Sequence, residues 1–270
     1  LFIQNTNPMM IAPELAKVHA GFAREDLFTC VHEQFMTDTA KMADIVLPAT
    51  MFVEHDDVYQ GGGHQHIILG PKIIEPPPGP RSNSEVVNAL AKRLGLAQPA
   101  FSMSAREIVD ATLKASNRGS WDELMQSKWI DCQIPFAQAH YLDGFAWPDK
   151  KFRFKPDWAA VLPNNDGTGK GRFGPADRMP ELPDHWDVIE NATPDKPFRL
   201  VRSPARSFLN SSFTETPTSV ARERRPEMMI RANDAIAHGI EDGAPVKIGN
   251  EKGSVTVHAR FFEGLAPKTV

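Results

Sequence analysis

Along the first fifty residues, short apolar runs alternate with polar stretches of helical spacing. The run "LFIQ" reads as a strand and closes at "NTNP". Pro13 suits a first helical position, and Leu15, Val18 and Phe22 then fall near one face, with Gly21 weakening or ending that helix. "LFTCV" is continuously apolar, as in a strand covered on both faces. "TDTAKMAD" has the propensity for about two helical turns, and "IVLPA" reads as a third buried strand. The order βαβαβ predicts a parallel sheet with right-handed crossovers.

Further on, "EPPPGPRS" is a stiff extended connection into "SNSEVVNALAKRLG". There Ser82 and Glu85 have capping-box spacing, Val86, Leu90 and Leu94 repeat at four-residue steps, and Gly95 stops the helix. Another helix is expected over 104–113. Periodicity is weak over 117–196, and 164–184 reads as a long loop without elements. From Phe198 the pattern turns to β. "FRLVRS" and "EMMIR" read as strands, "NDAIAHGI" as a capped turn, and "APVKIGN" and "SVTVHARF" as strands joined by "EKG". In the last of these, Val255, Val257, Ala259 and Phe261 alternate with polar positions, as in a half-buried strand.

The 270 residues suffice for one large domain or two ordinary ones. With 41% hydrophobic and 24% charged residues, the composition is that of a globular protein. A net charge of -4 argues against a general nucleic-acid or anionic-membrane binder. No apolar run reaches the ~18 residues of a membrane span, and "LFIQNTNP" does not read as a signal peptide. Cys30 and Cys132, far apart, form no disulfide framework or iron–sulfur ligand set and read as buried thiols. They fit a reducing compartment such as the cytoplasm, with the periplasm left open. The chain begins and stops within expected strands, which reads as a piece of a longer polypeptide.

In an open parallel sheet, ligands bind outside the carboxyl ends of the strands. "NTNP", "HEQFMT" and "TMFVEHDD" fall at three such ends. Ionised Glu33 is a pure acceptor, suited to the N–H and NH2 edge of a guanine or to ribose hydroxyls. Asn7 and Thr37 can add amide and hydroxyl bonds, and the Thr37 end of the short helix offers backbone N–H groups for a phosphate. Such residue types more often mark strand-end turns that bind nothing. No GxGxxG and no P-loop occurs, and "YQGGGH" reads as a flexible turn. Glu54, His55, Asp56, Asp57, His64 and His66 lie close in sequence and could hold a hydrolytic zinc, but their spacing matches no standard site. Ser203, Ser207, Ser211 and Ser212 form no nucleophile elbow.

"FMTDTAKMADIVLPATMFVEHDD" followed by "IEPPPGPRSNSEVVNALAKRLG" resembles the molybdopterin oxidoreductase superfamily, whose members include dimethyl sulfoxide reductase and formate dehydrogenase. The shared order is T-x-T-A-x-x-A-D-[IV]-[IV]-L-P-A, then an acid, then E-P-P and a Ser-capped helix. "SFLNSSF" and "NDAIAHGIEDGAPVKIGNEKGSVTV" are similar to the start of that family's C-terminal dinucleotide-binding domain. The resemblance covers about 1–95 and 197–270. It implies an α/β, Rossmann-like parallel-sheet portion over 1–96, an irregular connecting segment over 97–196, and a mainly β portion over 197–270 that begins a double-psi barrel. It further implies a bis-molybdopterin guanine dinucleotide carrying molybdenum or tungsten, and an iron–sulfur cluster in members with N-terminal cysteines, which this chain lacks. The site residues it implies are Asn5, Asn7 and Pro8 against the cofactor, Glu33 and Thr37 at a guanosine end, and Ser203, Asn210, Ser211 and Ser212 in the barrel loop. No residue matches the family's metal ligand. The implied partners are the rest of the same polypeptide, a small-molecule substrate and an electron-transfer partner. A chain of this extent is not expected to turn over alone. A zinc hydrolase and a non-catalytic cofactor-binding relative are the alternatives.

Overall fold

A computed structural model describes residues 1–155, 170–171, 174–175, 182 and 191–270. The chain divides into two compact units, residues 1–131 with 192–270, and residues 132–191.

Three parallel strands open the first unit: β1 (Phe2–Gln4), β2 (Cys30–Glu33) and β3 (Ile45–Pro48), in spatial order β1-β2-β3. Between the first two lie α1 (Pro8–Ile11) and α2 (Leu15–Phe22), and between the last two α3 (Asp38–Lys41). This is the expected βαβαβ order, with α1 as an extra turn begun by Pro8 at its first position. Ile3, Val31 and Ala40 are buried together, with Phe22, Ala43 and Val46 packed against them. Two expectations are corrected. α3 has four residues, about one turn, because Ala43 closes a tight turn on Ala40 and Asp44 already bonds back to Thr29, just before β2. And β3 is half-exposed rather than covered on both faces, since it lies at one side of the sheet. Next to it, Arg81 bridges in parallel with Ala49.

The family-like motif is legible here as architecture. Thr37 caps α3, its Oγ1 accepting from the Ala40 N–H at 3.2 Å. Thr39, fully buried, receives the Met9 N–H on its hydroxyl and donates that hydroxyl to Asn7 Oδ1 at 2.7 Å. Asp44 accepts the Thr29 N–H at 2.6 Å and so closes the start of β2. Cys30 and Cys132 are half-buried rather than buried as expected, and partial burial pushes the Cys30 thiol pKa up.

A second sheet, antiparallel in order β4-β5-β6, comprises β4 (Asp57–Gln60), β5 (His66–Gly70) and β6 (Trp129–Asp131). The "GGGH" turn joins the first two strands. Three helices surround this region: α4 (Asn83–Arg93), α5 (Ala105–Ala115) and α6 (Trp121–Ser127). Each begins with a complete capping box, Ser82 with Glu85, Ser104 with Glu107 and Ser120 with Glu123. Leu69, Leu113, Trp121 and Leu124 form the core beneath the second sheet.

Toward the C-terminus, α8 (Pro217–Glu223; α7 is given below) precedes a third sheet of order β10-β11-β9. Its strands are β9 (Glu227–Ile230), β10 (Pro245–Asn250) and β11 (Gly253–Phe261), with α9 (Ala232–Ile236) after β9. β10 and β11 form the expected hairpin, while β9 runs parallel to β11. Ile230, Ala235, Ala259 and Val270 are buried at its centre. The strand expected at "FRLVRS" is not one: only Arg199 makes a bridge, to Thr269, and Leu200 and Val201 are exposed.

In the second unit, α7 (Phe136–Ala139) leads into a chain of ring contacts. Tyr141 stacks on Phe145 at 4.7 Å, Phe145 meets Phe152 at 5.2 Å, and Phe152 meets Phe154 at 5.0 Å. The loop expected over 164–184 lies mostly outside the described residues, but within it β7 (Lys170–Gly171) pairs antiparallel with β8 (Gly174–Pro175). No helix among the described residues is long and apolar enough to cross a membrane.

Candidate functional site

The carboxyl ends of β1, β2 and β3 carry Asn5, Glu33 and Ala49, so the expected strand-end residues do gather at one edge of the sheet. Their roles divide. Asn7 is buried and its Oδ1 is committed twice, to the Thr39 N–H at 3.2 Å and to the Thr39 hydroxyl. Thr37 is also buried, with its hydroxyl spent on the α3 cap. The expectation that this helix end offers free amides therefore fails for Thr39 and Ala40, because Asn7 and Thr37 already accept from them. Asn5 is exposed, in a left-handed conformation at φ 54° that Asn tolerates, and Pro8 is half-buried at the start of α1.

Glu33 remains open. Its Oε1 accepts the Gln34 N–H at 2.7 Å, and its side chain is part-exposed. Gln34 is itself anchored, its Nε2 donating to the Thr50 carbonyl at 2.8 Å. Below, the fully buried His32 ties three segments together. Nδ1 pairs with Gln4 Nε2 at 3.0 Å, and Nε2 donates to the Arg81 carbonyl at 3.0 Å. The Arg81 carbonyl also accepts the Thr50 N–H. Glu33 thus stands at the end of a strand tied down by His32, with one carboxylate oxygen held by the Gln34 N–H and its side chain part-exposed.

The metal alternative gains no ligand set. His64 and His66 have ring centroids 5.7 Å apart in the hairpin turn, and His55 bonds Thr50. Among the described residues no three His, Cys, Asp or Glu side chains converge.

A second polar locus lies between the 203–216 segment and α8. Ser203, Asn210 and Ser212 are exposed and Ser211 is half-buried. Leu209 and Ser212 close a tight turn around Asn210, whose φ is 53°. Phe213 follows at φ 73°, which costs a non-glycine residue roughly 1–2 kcal/mol. The residues that line a cleft of about 720 Å3 here are not the four expected ones but Arg206, Ser207, Phe213, Ser219, Arg222 and Glu223. Glu223 accepts the Ser207 N–H and so pins the loop to the helix. The sequence held one signal for this wall: after Pro217, Ser219, Arg222 and Glu223 fall at three- and four-residue steps and share a helix face.

The molybdopterin oxidoreductase family model matches residues 1–93, and the model described as "Molydopterin dinucleotide binding domain" matches residues 198–270. Together they take in more than half of the chain, and they bracket the two loci just described. The chain belongs to the molybdopterin oxidoreductase superfamily. Among superfamily relatives, the probable oxidoreductase YoaE of Bacillus subtilis (strain 168) is 35% identical over 276 residues, covering 100% of this chain and 38% of its own length. The assimilatory nitrate reductase catalytic subunit of the same organism is 26% identical, over 100% of this chain and 36% of its own length. Acetylene hydratase from Pelobacter acetylenicus superposes with a TM-score of 0.76 at 18% identity, over 99% of this chain and 36% of that one. That likeness concerns the fold. The chain spans little more than a third of the length of these relatives.

Proposed function

We propose that this chain is a cofactor-holding part of a molybdenum or tungsten oxidoreductase, and that it grips a bis-molybdopterin guanine dinucleotide at two places. One is the strand-end edge at Glu33. The other is the 203–223 segment of a portion we read as the start of a double-psi barrel. The observation that carries the reading is the Glu33 carboxylate, fixed by the Gln34 N–H over a buried His32 floor at the carboxyl end of a parallel sheet. A part-exposed acceptor at that position suits the N–H and NH2 edge of a guanine.

The donor set fits such a cofactor. A carboxylate faces one end, and two guanidinium groups with hydroxyls line the other, as a dinucleotide with anionic phosphates needs. When bound, the cofactor supplies two-electron chemistry, by oxygen-atom or hydride transfer at its metal. The protein's part is to bind and orient. Glu33 reads the guanine, with Asn5 and Pro8 beside it at the sheet edge. Asn7 and Thr37 hold the helices that shape that edge, and Ser203, Asn210, Ser211 and Ser212 form the loop side of the second place. The metal ligand, the small-molecule substrate pocket and the docking of an electron-transfer partner belong, in this reading, to the rest of the polypeptide. This chain alone would not turn over, since a cofactor clamped from several sides would find much of its contact surface missing.

The test is made on the complete polypeptide. Molybdenum, tungsten and zinc are measured by mass spectrometry, and released pterin by fluorescence after oxidation. Molybdenum or tungsten with about two pterins per metal is expected; zinc without pterin would overturn the reading. Glu33→Ala should weaken guanine-end binding by about 1–3 kcal/mol. Pterin retention unchanged under dilution would count against that role.

A further inference from the structure

The glycine turn between β4 and β5 carries chemistry that the cofactor reading leaves unused. β5 begins at His66, and Trp129 of β6 meets its ring edge-on, with centroids 5.0 Å apart. Val58, Leu69 and Ile130 take the other face of this sheet into the core, so His66 and Trp129 stand on the outer face, where Trp129 is 52% exposed. Asp131, opposite His66 in the ladder, adds an acidic residue to that face. His64 is exposed, and its ring centroid lies 5.7 Å from that of His66. Its Nδ1 accepts the His66 N–H at 3.1 Å, so Nδ1 carries the lone pair. No hydrogen bond among the described residues involves the His66 ring or the N–H groups of Gly62 and Gly63. None of Gly61, Gly62 and Gly63 has a positive φ, so the backbone of the turn does not itself demand glycine. A Cβ on Gly61 would instead meet His64 Nε2 at 3.0 Å, while Gly62 and Gly63 face open space.

We propose that this turn binds one divalent copper ion, independently of the cofactor. His64 through Nδ1, His66 through a ring nitrogen, and the backbone amide nitrogens of Gly63 and His64 complete a square plane. At a metal–nitrogen distance of about 2.0 Å, two imidazoles on one ion have centroids roughly 4.5–6.4 Å apart, and the 5.7 Å seen here falls inside that range. Copper at an amide nitrogen takes the place of its proton, which leaves to solvent. The bond from the His66 N–H to His64 Nδ1 is exchanged for the metal bond. Coordination of this kind needs backbone that no side chain crowds, which the glycines provide. Tetragonal nitrogen sets select Cu2+ or Ni2+, and Cu2+ stands highest in the affinity order. No third ligating side chain converges among the described residues, which argues against a tetrahedral zinc and is what a site completed by backbone requires.

The experiment titrates the complete polypeptide, as isolated, with Cu2+ and follows tryptophan fluorescence and electron paramagnetic resonance. Copper at His66 lies beside Trp129 and should quench it, with saturation at one ion per chain and a tetragonal signal split by nitrogen. His64→Ala and His66→Ala should each weaken binding at least about tenfold, the loss that even an outer-shell partner brings. His64→Gln keeps a polar side chain in the turn and should lose as much as His64→Ala. His140→Ala, which removes an exposed histidine elsewhere, should bind like the parent. Trp129→Phe should bind copper as the parent does and lose most of the quenching. The proposal is overturned if Cu2+ saturates no site in the parent, or if His64→Ala and His66→Ala bind as the parent does. It is equally overturned if His140→Ala loses as much as they do. A signal without nitrogen splitting, or full quenching in the Trp129→Phe protein, would also defeat it. Either outcome leaves the cofactor reading as it stands, since released pterin is measured separately.

Discussion

Asn7 and Thr39 sit where three segments meet, and every polar atom on them that is buried has a partner. Asn7 Oδ1 takes two bonds from Thr39, and the Thr39 hydroxyl takes one from Met9. Asn7→Ala removes one acceptor and strands two buried donors, so it should destabilise the protein by about 1–3 kcal/mol. Urea denaturation measures this directly, and a midpoint equal to that of the parent would show that the knot contributes nothing. At this scale the sequence was half legible. The T-x-T spacing marked both threonines, yet it could not show that Thr39 is fully buried while Glu33 stays part-exposed, because burial there is set by packing against α1. Arg206 and Arg222 were overlooked for a related reason. They lie 16 positions apart, and only the turn at Asn210 and the helix at Pro217 bring them to one cleft.

Three consecutive helices each start with the same device, a serine whose hydroxyl receives a backbone N–H while a glutamate three residues on reaches back. The Ser82 backbone N–H holds the Glu85 carboxyl below its ordinary pKa, and the Ser104 backbone N–H does the same for Glu107. A carboxylate with a depressed folded-state pKa stabilises above its unfolded value and loses that contribution as pH falls through the folded value. Helix content should therefore drop on acidification below about pH 4, and Glu85→Gln should flatten the profile. Far-UV circular dichroism from about pH 6 to about pH 2 checks it; an unchanged helix signal in the parent would sink the idea. Elements with local signals, such as α4 and α5, could be read from the sequence. β4, β5 and β6 were missed because the Gly-rich turn and the lone "WID" segment pair only through tertiary contact, and "FRLVRS" was misjudged because its pairing with 268–270 is limited to a single bridge at Arg199, too short for a strand.

At the scale of the molecule, much apolar surface stays in water. Ile73 is 71% exposed, Phe28 60% and Phe52 59%, and the β1 edge of the parallel sheet is unpaired among the described residues, with Leu1 57% exposed beside it. Large exposed apolar area and open strand edges promote association. The 270-residue chain, produced by itself, should self-associate as concentration rises and bind a hydrophobic dye. Light scattering behind size exclusion distinguishes this from a clean monomer, which would contradict it. The fold class was recoverable from sequence because β1, β2 and β3 alternate with helices at short range. The sparse burial was not, since composition counts apolar residues without saying what covers them.

The three capping boxes also bear on the order in which the chain takes shape during synthesis. Each writes its helix start within four residues, so α4, α5 and α6 can begin to form as soon as those residues leave the ribosome. β9 cannot settle so early: the strand it pairs with, β11, lies beyond β10 and must be made first. Translation speed through the segment after β9 therefore bears on yield more than speed through the helices does.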